Sequence, residues 1–254
     1  MILRTAAVVA AIGLTLAGCV ARENPSSAPA TDDFPSAAAE ETSAESEGSE
    51  AGSDAGATEG DCGFTPDESG QEPAVGLPPD DGPATAATLT LTTSAGPLTI
   101  ALDAERAPCT VQSMAFLAGE GFFDGTNCHR LTTSQGLQVL QCGDPNGDGS
   151  GGPGYTVPDE FPTDLPPAAD GTNVTYQRGI VAMANAGPGT TGSQFFLVYG
   201  DSTLPPDYTV WGTLDEASLA TLDQVAAGGV TPGANGPEDG APVTPVAIES
   251  AAVA

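Results

Sequence analysis

The chain has 254 residues, of which 34 are acidic and only 5 are basic, and its formal net charge is −29. This length suggests one or two domains, and the charge excludes nucleic-acid binding because the phosphate backbone would be repelled. All five basic residues are arginines, and His129 is the only histidine. A catalytic Ser-His-Asp or Cys-His pair, or a metal site with a histidine ligand, would therefore have to use His129.

The first 19 residues are predicted to be a targeting segment. Arg4 precedes an apolar run at 5–17 that is shorter than the ~20 residues needed to span a bilayer, which is typical of a secretory signal. The run ends in Leu16-Ala17-Gly18-Cys19, which resembles a bacterial lipoprotein box, where the cysteine receives a diacylglyceryl group. Two acyl chains suffice for stable anchoring, which would place the protein on the extracytoplasmic face of a bacterial cell membrane. The alternative is an ordinary signal peptide in which Cys19 occurs by chance.

Residues 20–84 are predicted to be a disordered acidic tether. They are rich in Ala, Ser, Glu, Asp, Gly and Pro, and their only aromatic residues are Phe34 and Phe64. Such a composition buries too little apolar surface to offset the entropy cost of ordering. Cys62 lies near the end of the tether, so a disulfide could attach that end to the domain that follows, at 85–254.

The domain at 85–254 shows many short strand patterns and two helix patterns. A hairpin is predicted at 88–93 and 97–102 around Ser94-Ala95-Gly96, and Pro108 suits the first turn of a helix that ends at Gly119 and Gly121. The apolar stripe of that helix is Val111, Met114, Ala115 and Ala118. Further strands are predicted at 137–141, 179–184, 194–199, 208–214 and 243–248, with a second helix at 217–227. This pattern indicates an antiparallel barrel or sandwich with helical caps.

Four further cysteines suggest two disulfides, because an even number in an exported chain is typical of cross-linking. They are Cys62, Cys109, Cys128 and Cys142, and no pair has the Cys-x-x-Cys spacing that would favour zinc. Three pairings are possible. A hairpin centred near Gln135 could place Cys128 opposite Cys142, and Cys62 would then pair with Cys109.

Three segments in order carry a family resemblance. They read FFDGTNCHRL at 122–131; QCGDP at 141–145 with GSGGPGY at 149–155 and DE at 159–160; and VAMANAGPGT at 181–190 with GSQFF at 192–196. Together they resemble the cyclophilin-type peptidyl-prolyl cis-trans isomerases over about residues 86–250. The resemblance implies a closed eight-stranded antiparallel barrel capped by two α-helices, with the substrate groove on the outside because the interior is filled.

The resemblance also implies an activity that needs no general base, which suits a chain with five arginines and a single histidine. Rotation about an X-Pro bond crosses a barrier of ~18–20 kcal/mol because the nitrogen donates into the carbonyl. A catalyst needs a donor that meets the nitrogen lone pair in the twisted state and a pocket that grips the proline ring. No cofactor or metal is required. The expected partners are proline-containing segments of exported or cell-envelope polypeptides, bound by a monomer whose only membrane contact is its lipid anchor.

The resemblance assigns roles to ten residues. Arg130 and Gln141 are implied to be catalytic. Ala184, Asn185 and Ala186 form the groove edge, supported by Gln194, and the proline pocket is lined by Val139, Phe196, Leu204 and Tyr208.

Several residues depart from the family pattern. Residues 136–141 read GLQVLQ where the family usually reads Gly-Phe-x-x-Gln, so one wall of the pocket lacks its phenylalanine. Thr203 stands where tryptophan is frequent, which predicts weak binding of cyclosporin-type drugs. Residues 162–177 look like an enlarged loop without a readable motif. The alternative function is therefore a cyclophilin-fold module that binds proline-containing segments with little or no catalysis.

Two other motifs favour structural roles. Residues 144–149 resemble the opening of an EF-hand loop, but the twelfth position is Tyr155 and not glutamate, which favours a glycine-rich turn. His129 has no second partner for acid–base chemistry, so a structural role is expected for it.

Overall fold

A computed structural model describes residues 62–67, 74–79 and 87–254. The helices are α1 (Pro108–Gly119) and α2 (Glu216–Ala227). The strands are β1 (Thr65–Pro66), β2 (Thr88–Thr93), β3 (Gly96–Leu102), β4 (Asn127–Cys128), β5 (Arg130–Ser134), β6 (Leu137–Cys142), β7 (Tyr155–Thr156), β8 (Val174–Tyr176), β9 (Ile180–Met183), β10 (Phe195–Gly200), β11 (Ser202–Leu204), β12 (Val210–Leu214), β13 (Val230–Gly233), β14 (Gly236–Pro242) and β15 (Val246–Val253). Cys19 and most of the expected tether lie outside the described residues. No helix in the described ranges is long and apolar enough to cross a membrane.

The main sheet has eleven antiparallel strands in the order β13-β14-β5-β6-β10-β9-β12-β3-β2-β15-β4. Only His129 separates β4 from β5 along the chain, yet β4 ends the sheet on one side and β5 lies third from the other side. The sheet must therefore curl back on itself. Two smaller sheets pair β1 with β7 and β8 with β11.

The expectation of a mainly β fold with two helices is confirmed, but the closed eight-stranded barrel is wrong. The hydrogen-bonded ladder is a curled half-barrel whose terminal strands are β13 and β4. One reason is the β13–β14 hairpin, which extends the sheet beyond β5 by pairing Asp239 with Thr132. The other is the break at His129, because Asn127 and Cys128 pair with β15 and do not continue the β5 ladder.

The two faces of the sheet bury two separate apolar clusters. The larger one holds Leu89, Leu91 and Ile100 from the first hairpin and the aromatic chain Phe123–Phe195–Trp211, with ring centroids 5.9 and 5.8 Å apart. The side chains of α1 that pack into it correct the predicted stripe: Leu117 is fully buried, whereas Ala115 is only half-buried.

Both disulfides of the sequence hypothesis are present. Cys128 and Cys142 lie with Cα atoms 4.0 Å apart, just beyond the Arg130–Gln141 pair that ends the β5–β6 ladder. Cys62 and Cys109 have Cα atoms 5.4 Å apart, which attaches the segment before the domain to the start of α1. This second disulfide holds residues 62–67, here called the strap, in which β1 pairs with β7.

Candidate functional site

The pairing of five central strands places three of the predicted site residues, Arg130, Gln141 and Phe196, in one row. Arg130 lies opposite Gln141, and Gln141 lies opposite Phe196. Phe196 in turn lies opposite Ala182, and Ala182 lies opposite Val210. Directly opposed residues of neighbouring strands project from the same face of a sheet. The row therefore runs from a charged end at Arg130 to an apolar end at Val210.

A chain of side-chain hydrogen bonds occupies the polar end of this row. Arg130 Nη1 donates to Gln141 Oε1 at 3.2 Å, and Gln141 Nε2 donates to Gln194 Oε1 at 3.0 Å. Gln194 Nε2 then donates to the carbonyls of Gly149 and Gly151 at 3.0 and 2.8 Å. Each amide is oriented by its neighbour, so the chain holds the guanidinium and the 149–151 loop in a fixed relation.

The apolar end of the row is the smaller of the two apolar clusters. Phe196 is 5% exposed and its ring centroid lies 5.6 Å from that of Tyr208 in an edge-to-face arrangement. Val139 is buried in the same cluster, and Leu204 packs against it. The structure thus brings together all four residues predicted to line a ring-binding pocket. Phe195, which points into the larger cluster, is fully buried, as the alternation of strand residues predicts.

Tyr176 is a member of the smaller cluster that sequence reasoning missed. It lies in β8, inside the segment 162–177 that was expected to be a loop, and its ring packs edge-to-face on Phe196 and Tyr208 with centroid distances of 6.1 and 6.2 Å. Its hydroxyl donates to the carbonyl of Tyr208 at 3.0 Å, and burial raises its pKa. Tyr176 is fully buried, so it supports Phe196 and Tyr208 by packing against both rings in a cluster that lacks the usual phenylalanine.

The predicted groove edge is a main-chain segment held from both sides. The amide of Ala184 donates to the carbonyl of Gln194 at 2.9 Å. The side chain of Asn185 donates to the Asp207 carbonyl at 2.8 Å and accepts from the Gly187 amide at 3.1 Å. Neither the amide nor the carbonyl of Asn185 makes a hydrogen bond within the described ranges. An extended peptide could therefore pair with the main chain here.

A surface cavity of about 870 Å³ lies beside the groove edge. Gln141, Gln194 and the three residues of the groove edge, Ala184, Asn185 and Ala186, line it, whereas Arg130 does not. Its remaining walls are the loop around Gly151, the turn around Gly189 and the strap at 65–67. Thr65 and Pro66 were not predicted, because they pair with Thr156 and Tyr155, about 90 positions later in the chain, and no local pattern indicates that contact.

Asp239 is the second residue that sequence reasoning missed. Its carboxylate accepts from Arg130 Nε at 2.7 Å and from Arg130 Nη2 at 2.8 Å. The guanidinium holds the pKa of this carboxyl below its usual range, and the same hydrogen bonds raise the pKa of Arg130. The two residues are 109 positions apart, and the turn-rich sequence around Asp239 has no motif that could have indicated the pair.

His129 and Asp144 border the site without a visible chemical role. Burial lowers the pKa of His129, and neither ring nitrogen has a hydrogen-bond partner among the described residues. The two oxygens of Asp144 accept from the amides of Asn146, Asp148 and Gly149, so this segment is a turn closed on its own carboxylate. The described ranges contain no group of three His, Cys, Asp or Glu side chains that could hold a metal ion.

Comparison with known proteins gives a consistent family. The model of the cyclophilin-type peptidyl-prolyl cis-trans isomerase family matches residues 88–253. The chain is 54% identical over 181 residues to the probable peptidyl-prolyl cis-trans isomerase B of Mycobacterium leprae, which covers 70% of this chain and 60% of that protein. It is 36% identical over 186 residues to the peptidyl-prolyl cis-trans isomerase A of Mycobacterium tuberculosis, which covers 67% of this chain and 93% of the relative. The chain thus spans about 60% or less of the length of the isomerase B relatives.

A solved structure shares the fold. It is a cyclophilin-type peptidyl-prolyl cis-trans isomerase of Cryptosporidium parvum, with a TM-score of 0.53, 26% sequence identity, and coverage of 66% of this chain and 98% of the other. The same protein was also crystallised in the presence of the dipeptide Ala-Pro, and that structure matches with a TM-score of 0.51.

Proposed function

The chain belongs to the cyclophilin-type peptidyl-prolyl cis-trans isomerase family, and we propose that residues 88–253 catalyse cis–trans isomerisation of X-Pro bonds in polypeptides. One observation carries the proposal. Arg130, a permanent cation, is held 3.2 Å from Gln141 at the end of a row whose other end is an apolar aromatic cluster around Phe196. A charged donor beside an apolar aromatic cluster is what this reaction needs.

The proposed mechanism divides the two halves of the substrate between the two ends of the row. The aromatic cluster of Phe196 and Tyr208 holds the proline ring. The main chain of Asn185 pairs with the residue before proline. Arg130 donates to the prolyl segment and meets the nitrogen lone pair that appears when the bond is twisted out of conjugation. Each ~1.36 kcal/mol of stabilisation present only in that twisted state gives a tenfold acceleration.

Two of the guanidinium N–H groups are available for this role. Arginine carries five N–H donors. Asp239 accepts from Nε and Nη2, and Gln141 accepts from Nη1. One hydrogen on Nη1 and one on Nη2 remain without a partner among the described residues, so the outer end of the planar group can face a substrate.

The test is exchange NMR on an Ala-Pro peptide, which reports binding and isomerisation together. We expect wild type to accelerate exchange, Arg130→Ala to lower turnover by about tenfold or more with a smaller loss of affinity, and Arg130→Lys to restore only part of the rate. Phe196→Ala should weaken binding as well as rate, because an aromatic wall is lost. Arg178→Ala is the matched control, since Arg178 is ion-paired to Asp223 away from the row and its loss should change neither.

The same experiment separates the alternative function. If wild type binds the peptide without accelerating exchange, the protein is a binding module for proline-containing segments and not an isomerase. If wild type is active and Arg130→Ala is equally active, the isomerase proposal stands, but Arg130 is not its catalytic residue.

We also propose that Cys19 is lipidated and that a monomer works on exported clients at the extracytoplasmic face of a bacterial membrane. In this arrangement 1–19 is the signal peptide, 20–84 the tether and 85–254 the isomerase domain. The proposal is supported by the Leu16–Cys19 motif and by the two disulfides, which are typical of oxidising compartments. Wild type should sediment with membranes and Cys19→Ser should not; equal membrane recovery of both would contradict the anchor.

A further inference from the structure

We propose that Asp239 is a positioning residue for the proposed reaction, because it fixes the rotation of the Arg130 guanidinium and aims its outer end at the substrate. The inference rests on the proposed function and deepens it. Its basis is the two parallel contacts at 2.7 and 2.8 Å, which join the Nε and Nη2 edge of Arg130 to both carboxylate oxygens of Asp239. A bidentate contact of this kind constrains orientation as well as distance, since both groups are planar.

The backbone places Asp239 where this contact forms. Asp239 pairs with Thr132 in the β14–β5 ladder, and Gly240 pairs with Leu131, next to Arg130. A side chain at Gly240 would place its Cβ 2.1 Å from the Thr231 carbonyl oxygen, so the two strands of this hairpin approach too closely for any other residue. Asp239 therefore lies on a strand, β14, that is paired with β13 on one side and with β5, which carries Arg130, on the other.

A third residue restrains the carboxylate further. Asn235 Nδ2 donates to Asp239 Oδ2 at 3.2 Å. Asp239 and Arg130 have side chains 19% and 34% exposed, whereas the acidic partners in the other two ion pairs, Asp164 and Asp223, are 69% and 53% exposed. Exposed pairs contribute little and hold their side chains loosely. The pair at the site is the most shielded of the three, which fits an orienting role.

The orientation has a direct consequence for the reaction. With Asp239 on one edge and Gln141 on Nη1, the guanidinium plane has a single arrangement that satisfies both. Without the carboxylate the side chain could rotate about its terminal torsions, and its free N–H groups would meet the twisted bond in only a fraction of encounters. A small misplacement of a catalytic group costs roughly ten- to a hundredfold in rate.

The first experiment measures the kinetic split. We expect Asp239→Asn to lower kcat about tenfold with KM nearly unchanged, because the donor remains but its aim is lost. Asp239→Glu should retain more of the rate because it keeps the charge. Asp223→Asn is the matched control: it breaks the equivalent contact to Arg178, away from the row, and should leave kcat unchanged. Thermal unfolding of each variant ensures that only folded protein is compared.

The second experiment needs no catalysis. The whole chain contains only five arginines, so the side-chain Nε–H signals in a ¹⁵N spectrum are few enough to assign. The Arg130 signal should shift and exchange faster with water in Asp239→Asn, and should keep its position in Asp223→Asn. In an Arg130→Ala background, Asp239→Asn should cause no further loss of rate if it acts through the guanidinium.

The outcomes separate this inference from the proposed function. If wild type does not accelerate exchange, the proposed function fails. If wild type is active and Asp239→Asn has unchanged kcat, or loses only stability, the positioning inference alone is overturned. An unchanged Arg130 signal in Asp239→Asn would overturn it as well.

Discussion

The pKa values of single side chains in this protein depend on the nearest charge and on the depth of burial. The adjacent guanidinium of Arg130 lowers the pKa of Asp239 and so favours its charged carboxylate form. The pKa of His129, one residue before Arg130, is also lowered, but for a histidine this shift favours the neutral form. Burial is the main cause that lowers its pKa, and Arg130 acts in the same direction, although Asp144 and Asp148 partly oppose it. His129 is therefore neutral at pH 7.

This burial predicts a pH-dependent stability. The folded pKa of His129 is depressed, so its contribution is present above the unfolded pKa, ~6.5, and is lost as the pH falls because the unfolded chain takes up the proton more readily. We expect the free energy of unfolding of wild type, relative to His129→Gln, to decrease between pH 7.5 and pH 5. Denaturant titrations at both pH values measure this difference, in which the carboxylates common to both variants cancel. A difference that does not change with pH would contradict it.

The start of α1 shows how one element depends on another that is distant in the chain. Its N-cap residue, Ala107, has no side chain that could accept a hydrogen bond. Glu160 supplies the acceptor instead: it binds the amides of Cys109 and Thr110 at 2.9 Å each and the Thr110 hydroxyl at 2.7 Å. An anion at a helix N-terminus satisfies free amides and opposes the positive end of the helix dipole.

Removing that charge should destabilise the fold. Glu160→Gln keeps the size of the side chain but turns one acceptor into a donor that faces the helix amides. We expect a loss of about 1–2 kcal/mol in the free energy of unfolding, the usual effect of losing an N-terminal cap. Glu216→Gln in the first turn of α2 is the control, because Asp215 already caps that helix by accepting from the Ser218 amide. Chemical denaturation of both variants measures the effect, and equal losses would show that Glu160 has no special part.

The Cys128–Cys142 disulfide connects an element to the site. It joins the chain immediately before His129 to the chain immediately after Gln141, so it closes the β4–β5–β6 segment around the two residues proposed to be catalytic. A cross-link over a loop of this length, 14 residues, stabilises a protein by about 3 kcal/mol in the chain-entropy model. The Cys62–Cys109 disulfide acts in the same way on the strap that walls the cavity.

The charge of the whole molecule should affect which polypeptides reach the proposed substrate groove. The chain has a formal net charge of −29, and each of the three arginines in the described ranges is already paired with an aspartate. The surface that remains is acidic. Such a field attracts cationic segments and repels acidic ones, and salt screens it beyond about 10 Å at 0.1 M ionic strength.

We therefore expect a charge preference that depends on salt. An Ala-Pro peptide flanked by lysines should have a lower KM than the same peptide flanked by glutamates at low ionic strength, with a similar kcat, because steering acts on encounter and not on the twisted state. The difference should shrink at high salt, and a glutamine-flanked peptide should respond little. Exchange NMR at two salt concentrations measures this. A preference that persists at high salt would indicate direct contacts and not a long-range field.

Sequence alone was sufficient for the local elements and the family. The first hairpin and both helices lie where strand patterns, Pro108 and the glycine stops predicted them, because turn chemistry and apolar periodicity act over a few residues. The three motifs in register identified the family, and the chain order of the cysteines around a hairpin indicated the disulfides. The residues that carry these signals are neighbours in the chain.

Only the tertiary structure decided how the row is completed. Asp239 reaches Arg130 across 109 residues, Tyr176 enters the aromatic cluster from a segment without a motif, and Glu160 caps a helix that starts 52 residues earlier, at Pro108. The strand count also departed from expectation, because His129 interrupts one strand and β13–β14 extends the sheet. Each of these contacts joins side chains that are far apart in the chain and that only the tertiary fold brings together. A local sequence pattern does not predict such long-range contacts, because the packing of the whole fold determines which distant side chains lie together.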